Sequence, residues 1–261
     1  PAAWAERPAA IDGLVTALEE QKSPDCAHEA TAQAAAMPAG TALADVVRSG
    51  IRCATAAPLD GAAGADLATL AALGEHIAGD VAQPILADDR SDLFEHVVSA
   101  LAALDRAGDR RRVALAWVSF LDGEALRAPS PAARVVFDSH RLAAYIAIDA
   151  PERAVPMLQA SARDFPQDYN PPARLGAAYL AMGKYDAATA SLRRALGLAY
   201  GPRKLRMWST LADVCLKKGD REGAKRALRE ALAFASSTTL GGGYAALRDA
   251  MAKRLADLDG G

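Results

Sequence analysis

Aromatic side chains are scarce in this chain, at 5% of 261 residues. Surfaces that bind single-stranded nucleic acid interleave cations with stacking rings, and Tyr200 and Trp208 are too few to do so beside the basic residues of the C-terminal half. Nucleic acid is therefore not an expected partner. Cysteine is sparse too: Cys26, Cys53 and Cys215 contain no Cys-x-x-Cys pair, which argues against a thioredoxin-type redox motif. No apolar run reaches the length of a membrane span. No β-branched alternating run stands out, so strands are not expected.

Common catalytic signatures are missing as well. There is no Gly-x-Ser-x-Gly elbow and no Walker-type phosphate loop. His28-Glu29 begins like a zinc-protease motif, but Ala30-Thr31-Ala32 follows and the second histidine is absent. Cys26 and His28 offer two ligands without a second pair at metal spacing. The glycines at 241–243 precede a helix, yet they follow no strand and no Lys-Ser/Thr comes after them, so they read as a linker. In Asp88-Asp89-Arg90-Ser91-Asp92, helix capping accounts for the acids, with Ser91 as N-cap and Asp92 in the first turn. No catalytic residue, metal ligand or cofactor is assigned.

What the chain has in quantity is Ala, Leu, Arg and Glu, the composition of helices. Its charge is uneven beneath a net −2. Residues 1–130 carry 10 Lys+Arg against 19 Asp+Glu, and residues 131–261 carry 20 against 13. Two solvated surfaces of opposite sign fit this split, and so does a basic half that receives an acidic partner. The chain starts Pro1-Ala2-Ala3 without a methionine, as a removed export signal or cloning would leave it.

The N-terminal third reads as four helices. The first runs from Pro8 to about Lys22 on Ile11, Leu14, Val15 and Leu18. Ser23-Pro24-Asp25 stops it and starts a second, Asp25 to Ala36. Thr41 caps a third carrying Leu43, Val46, Val47 and Ile51, and a fourth spans Ala65 to about Ile77. Cys26 lies near the start of the second helix and Cys53 near the end of the third. In an antiparallel pair the two face each other, as a disulfide in an exported protein or as two buried thiols in a reducing cytosol.

Helical hairpins follow. A degenerate one places helices at Leu93–Asp105 and Arg110–Leu121 around a turn at Ala107-Gly108-Asp109, and a linker at Asp122–Pro131 closes it. The next runs from Ala132 to Ile148, turns at Asp149–Glu152, returns through Leu158 and ends at Pro166. From Asn170 to Ala231 one hairpin is written twice. Leu175, Gly176, Tyr179, Gly183, Ala188, Leu192 and Ala195 recur 36 residues later as Leu211, Ala212, Cys215, Gly219, Ala224, Leu228 and Ala231. Small residues at 176 and 212 let two helices approach, glycine at 183 and 219 suits a helix-ending turn, and Cys215 fills a core position. Tyr244 to Leu258 is a last amphipathic helix, with Tyr244, Leu247, Met251, Leu255 and Leu258 on one stripe, suited to capping a stack.

On these residues the chain resembles the tetratricopeptide repeat family, clearest over residues 135–232, whose period is close to 34 residues. The resemblance implies an all-α fold: antiparallel helical hairpins stacked as a right-handed solenoid behind an N-terminal helical segment, with domains at 1–90 and 91–261. It implies a non-enzymatic scaffold or adaptor that binds a protein or peptide in a concave groove. By register the groove presents Ser139, His140, Asn170, Arg174, Arg206, Ser209, Asp213 and Lys217, polar and net basic, suited to an acidic segment. The family's clamp for chaperone C-termini needs Lys and Asn at fixed positions, and Ser139, Ala143, Ala173, Ala177, Ser209 and Asp213 stand there instead, so that partner is not expected. A structural subunit that self-associates through its oppositely charged halves is the alternative, and an enzyme or small-molecule binder comes third. Ala199–Leu205 also resembles repeat tails beside thioredoxin-like domains in exported bacterial proteins, which favours the cell envelope or periplasm over the cytoplasm.

Overall fold

The computed structural model describes residues 9–20, 25–56, 59 and 61–260. Helices account for every regular element among the described residues apart from two short 3₁₀ turns. The chain divides into two compact units, Pro1–Pro129 and Ser130–Gly261.

The first unit holds α1 (Ala9–Glu20), α2 (Asp25–Ala34), α3 (Thr41–Ala54), α4 (Gly61–Gly79), α5 (Ala87–Ala103) and α6 (Ala107–Arg127). Val15 and Leu18 of α1 are buried, as are Leu43, Val46, Val47 and Ile51 of α3. The expected start at Pro8, end at Lys22 and break at Ser23-Pro24 lie outside the described residues. Thr41 does not cap α3. Gly40 holds that position, and the Thr41 hydroxyl donates to the Pro84 carbonyl at 3.4 Å. Antiparallel α2 and α3 bring Cys26 and Cys53 together in a disulfide with a Cα–Cα distance of 6.3 Å.

Ser91 is not a cap either, because α5 begins at Ala87. The buried Arg90 guanidinium explains the early start. It donates to the carbonyls of Ile77 (3.1 Å), Ala78 (2.8 Å), Asp80 (2.7 Å) and Gln83 (3.0 Å), satisfying the acceptor-rich end of α4 and the chain beyond it. Ser91 is then carried into the core, where its hydroxyl accepts the Trp117 indole N–H at 2.8 Å. Packing of α5 on α3 and α4 ties the α5–α6 hairpin to the N-terminal helices. The compact units therefore meet at Pro129, whereas the sequence reading divides the chain at residue 90. The expected linker from Asp122 is helical through Gly123 to Arg127.

The second unit contains α7 (Pro131–Val135), α8 (Asp138–Ala147), α9 (Ala154–Asp164), α10 (Asn170–Ala181), α11 (Tyr185–Leu198), α12 (Lys204–Lys218), α13 (Arg221–Ser236) and α14 (Gly242–Gly260). The single helix expected over 132–148 is broken at Val136-Phe137 into α7 and α8. Hairpins α8–α9, α10–α11 and α12–α13 stack in chain order, and α14 packs on the last. Met251 is buried in the core formed with α12 and α13, with Tyr244, Leu247, Leu255 and Leu258 packed beside it.

One turn closes the hairpins α5–α6, α8–α9, α10–α11 and α12–α13. One or two residues beyond the end of each first helix the backbone turns left-handed: Asp105 (φ 54), Asp149 (φ 59), Gly183 (φ 69) and Gly219 (φ 82). The following amide then donates to the carbonyl five residues back, Arg106 to Leu101, Ala150 to Tyr145, Lys184 to Tyr179 and Asp220 to Cys215, at 2.8 to 2.9 Å. Asp105 thus makes the turn that the sequence reading placed at Gly108, since aspartate tolerates this conformation better than most side chains.

At Gly176 the helices of a hairpin come so close that an added Cβ would lie 2.6 Å from Leu192 Cγ. Gly176→Ala is expected to cost about 1–3 kcal/mol through overpacking. Gly197→Ala on α11, where nothing lies within 4 Å, should instead stabilise by about 0.5–1 kcal/mol. Urea unfolding of both variants checks this, and equal effects would mean that the α10–α11 contact is loose. Cys26→Ala/Cys53→Ala removes a link between residues 27 apart and should lower stability by about 2–4 kcal/mol, measured against the oxidised wild type.

Candidate functional site

The groove residues expected from the sequence fall on the first helices of the three stacked hairpins, α8, α10 and α12. Ser139 is exposed and His140 half-buried on α8. Asn170 and Arg206 line a pocket of about 200 Å³ at the N-terminal ends of α10 and α12, together with Arg203 and Tyr244. Asp213 and Lys217 line a trough of about 980 Å³ at the other end of the same helices, with Leu180, Met182, Tyr185 and Leu216. A second cavity of about 500 Å³, lined by Ile146, Asp149, Pro151, Glu152 and Lys184, adjoins it through Ala181 and Met182.

The trough follows from the turns. Ile146, Leu180 and Leu216 each directly follow the residue whose carbonyl accepts the turn hydrogen bond, so each leaves its helix at the same angle. Ile146 and Leu216 remain 39% and 37% exposed, although they are large aliphatic residues. The sequence reading missed this strip, and its signal was an apolar residue at one fixed offset before each turn.

Three of the expected groove residues are engaged within the unit. Arg254 of α14 reaches α12, where its Nη2 donates to Asp213 Oδ1 at 2.5 Å and its Nη1 to Ser209 Oγ at 3.4 Å. Arg174 is half-buried, and burial pushes its guanidinium pKa down against the opposing pull of Asp138, Asp168 and Tyr169. Arg206, by contrast, lies over the Tyr244 ring at 5.5 Å.

Asp138, at the first turn of α8, is fully buried. Ser161 Oγ donates to its Oδ2 at 2.6 Å, while Oδ1 has no hydrogen-bond partner. Desolvation holds the carboxyl above the usual carboxylate range, opposed by the Ser161 hydrogen bond and by Arg174, Arg141 and Arg134. Cys215 is a free, half-buried thiol whose pKa burial pushes up, as suits a packing residue. It borders a cavity of about 340 Å³ in which Arg193, Lys218 and Arg226 face Asp186, Asp220 and Glu230.

The family model of the tetratricopeptide repeat matches residues 169–237, the span of hairpins α10–α11 and α12–α13. These residues are tetratricopeptide repeats. No curated protein matches the chain. Among solved structures, the chain is similar to BtubC (BKLC) from P. vanneervenii at 13% identity, covering 87% of this chain and 92% of that one with a TM-score of 0.48. It is also similar to MamA (41 to the end) from Desulfovibrio magneticus RS-1 at 18% identity, covering 76% of this chain and 97% of that one with a TM-score of 0.38. The tetratricopeptide hairpins contribute most of the trough and all of the 200 Å³ pocket except Tyr244, which comes from α14.

The buried carboxyl makes stability depend on pH. Because its folded pKa is raised, Asp138 binds a proton more tightly folded than unfolded, so stability falls as pH rises through the folded pKa. Asp138→Asn keeps an acceptor for Ser161 and removes the charge. It is expected to flatten the pH profile of the melting temperature above about pH 4, the unfolded carboxylate range. An unchanged profile would show that Asp138 titrates normally.

Proposed function

We propose that the repeat unit is a scaffold that holds an extended, acidic segment of another protein along the trough. Tetratricopeptide repeats serve in general as protein-interaction scaffolds, and a partly exposed apolar strip repeated on successive hairpins is what an extended chain needs for repeated contacts. The observation that carries the reading is charge left unspent beside that strip. Among the described residues, Lys184 and Lys217 have no carboxylate within ion-pair distance, whereas Lys218 pairs with Asp186 and Lys225 with Asp259. Acidic residues of the partner are set against these two lysines, and its apolar residues cover Ile146, Leu180 and Leu216. Arg174 takes no direct part, because it is half-buried.

The Cys26–Cys53 bridge supports an oxidising compartment such as the cell envelope as the place where this happens. The reading is tested by capture from source-cell extract with the wild type and with Lys184→Glu/Leu216→Glu/Lys217→Glu, circular dichroism confirming that both are folded. Capture of a protein by the wild type at low salt, lost in the variant and weakened by added salt, is the expected outcome. Equal capture by both proteins would overturn the trough as the binding surface.

A further inference from the structure

We infer that the pocket between the starts of α10 and α12 and helix α14 receives a single apolar side chain that lies beside a carboxylate on a partner peptide, an inference that rests on the scaffold reading above. The pocket measures about 200 Å³. Sites that enclose a whole small molecule run to roughly 300–1,000 Å³, so this one has room for one side chain. Its lining is apolar at Ala173, Leu192 and Met207, and the rings of Tyr169 and Tyr244 stand at its sides. Tyr169 is braced by Tyr200, whose ring meets it edge-on at 6.1 Å.

Two guanidinium groups belong to the same pocket. Arg203 lies 5.3 Å from the Tyr200 centroid and Arg206 lies 5.5 Å from that of Tyr244. Stacking on a ring orients a guanidinium without neutralising it. Among the described residues neither arginine has a carboxylate within ion-pair distance, whereas Arg229 and Arg254 pair with Asp259 and Asp213. The neighbouring acid, Asp168, is occupied: its Oδ1 accepts the Asn170 backbone N–H at 2.9 Å and the Asn170 amide at 2.8 Å. A purely apolar ligand would leave two cations unused, and a bare anion would leave the apolar lining uncovered. A residue pair that presents both groups matches the whole pocket. The carboxylate can come from the C-terminus of the partner or from an Asp or Glu side chain, and both offer the planar, two-oxygen acceptor that a guanidinium binds.

The test uses two arrays of random heptapeptides, one with free C-termini and one amidated, probed with the full-length protein. Arg203→Gln/Arg206→Gln and Thr210→Phe, the latter placing bulk at the pocket wall, are probed alongside after their melting temperatures are shown to match the wild type. The wild type should enrich peptides in which an apolar residue adjoins a carboxylate, and both variants should bind those peptides on the order of tenfold more weakly. Enrichment confined to the free-terminus array assigns the carboxylate to a chain end, and enrichment in both arrays assigns it to side chains. Enriched peptides without the pair, no enriched peptide, or equal binding by the variants overturns the pocket. The trough variant leaves Arg203 and Arg206 intact, so failure of the pocket and failure of the scaffold reading show in different experiments.

Discussion

The second unit depends on one backbone interaction, the hydrogen bond that closes each hairpin from the residue after a left-handed position to a carbonyl five residues back. That bond ends the first helix at a fixed point and sends the chain back antiparallel. Because it recurs at Ala150, Lys184 and Asp220, the first helices of the three hairpins end in equivalent registers. Everything at those ends is repeated with them, including the positions of Ile146 and Leu216, which are exposed, and of Leu180, which is half-buried. The trough is therefore a by-product of how the hairpins close.

Between successive first helices, charge is used in two opposite ways. Arg254 and Asp213 join α14 to α12 in a partly exposed pair, which fixes orientation at little desolvation cost. Asp138, in contrast, is wholly buried with one oxygen unpartnered, and the field of Arg174 does not offset the loss of water. Positions that a repeat register would offer to a ligand are consumed by this internal wiring. Four of the cations without an ion pair among the described residues, Lys184, Lys217, Arg203 and Arg206, lie at the two ends of the helices, beside the apolar patches they flank.

In the first unit, the same accounting of backbone groups explains where helices start. The sequence around Ser91 carries every local mark of an N-cap, yet α5 begins earlier because Arg90 is drawn to the carbonyls that finish α4. A local preference of this kind is worth about 1 kcal/mol, and a buried guanidinium with four acceptors outweighs it. The same reasoning covers Gly108, whose turn-forming preference is overruled by Asp105 once α5 has been shifted toward the N-terminus.

The sequence by itself determined the helical class, the repeated hairpins of 170–231, the close approach at Gly176 and the facing of Cys26 and Cys53. These are local properties, set by helical periodicity, by residue size at a contact and by the few side chains that tolerate a left-handed backbone. The tertiary structure alone decided which of the register-matched groove residues stay open. Arg254 lies 41 residues from Asp213, and Tyr244 joins a pocket that begins at Tyr169. No pattern within one helix encodes pairings at that separation, because they depend on how α14 rolls onto α12 and α13 when its apolar stripe is buried.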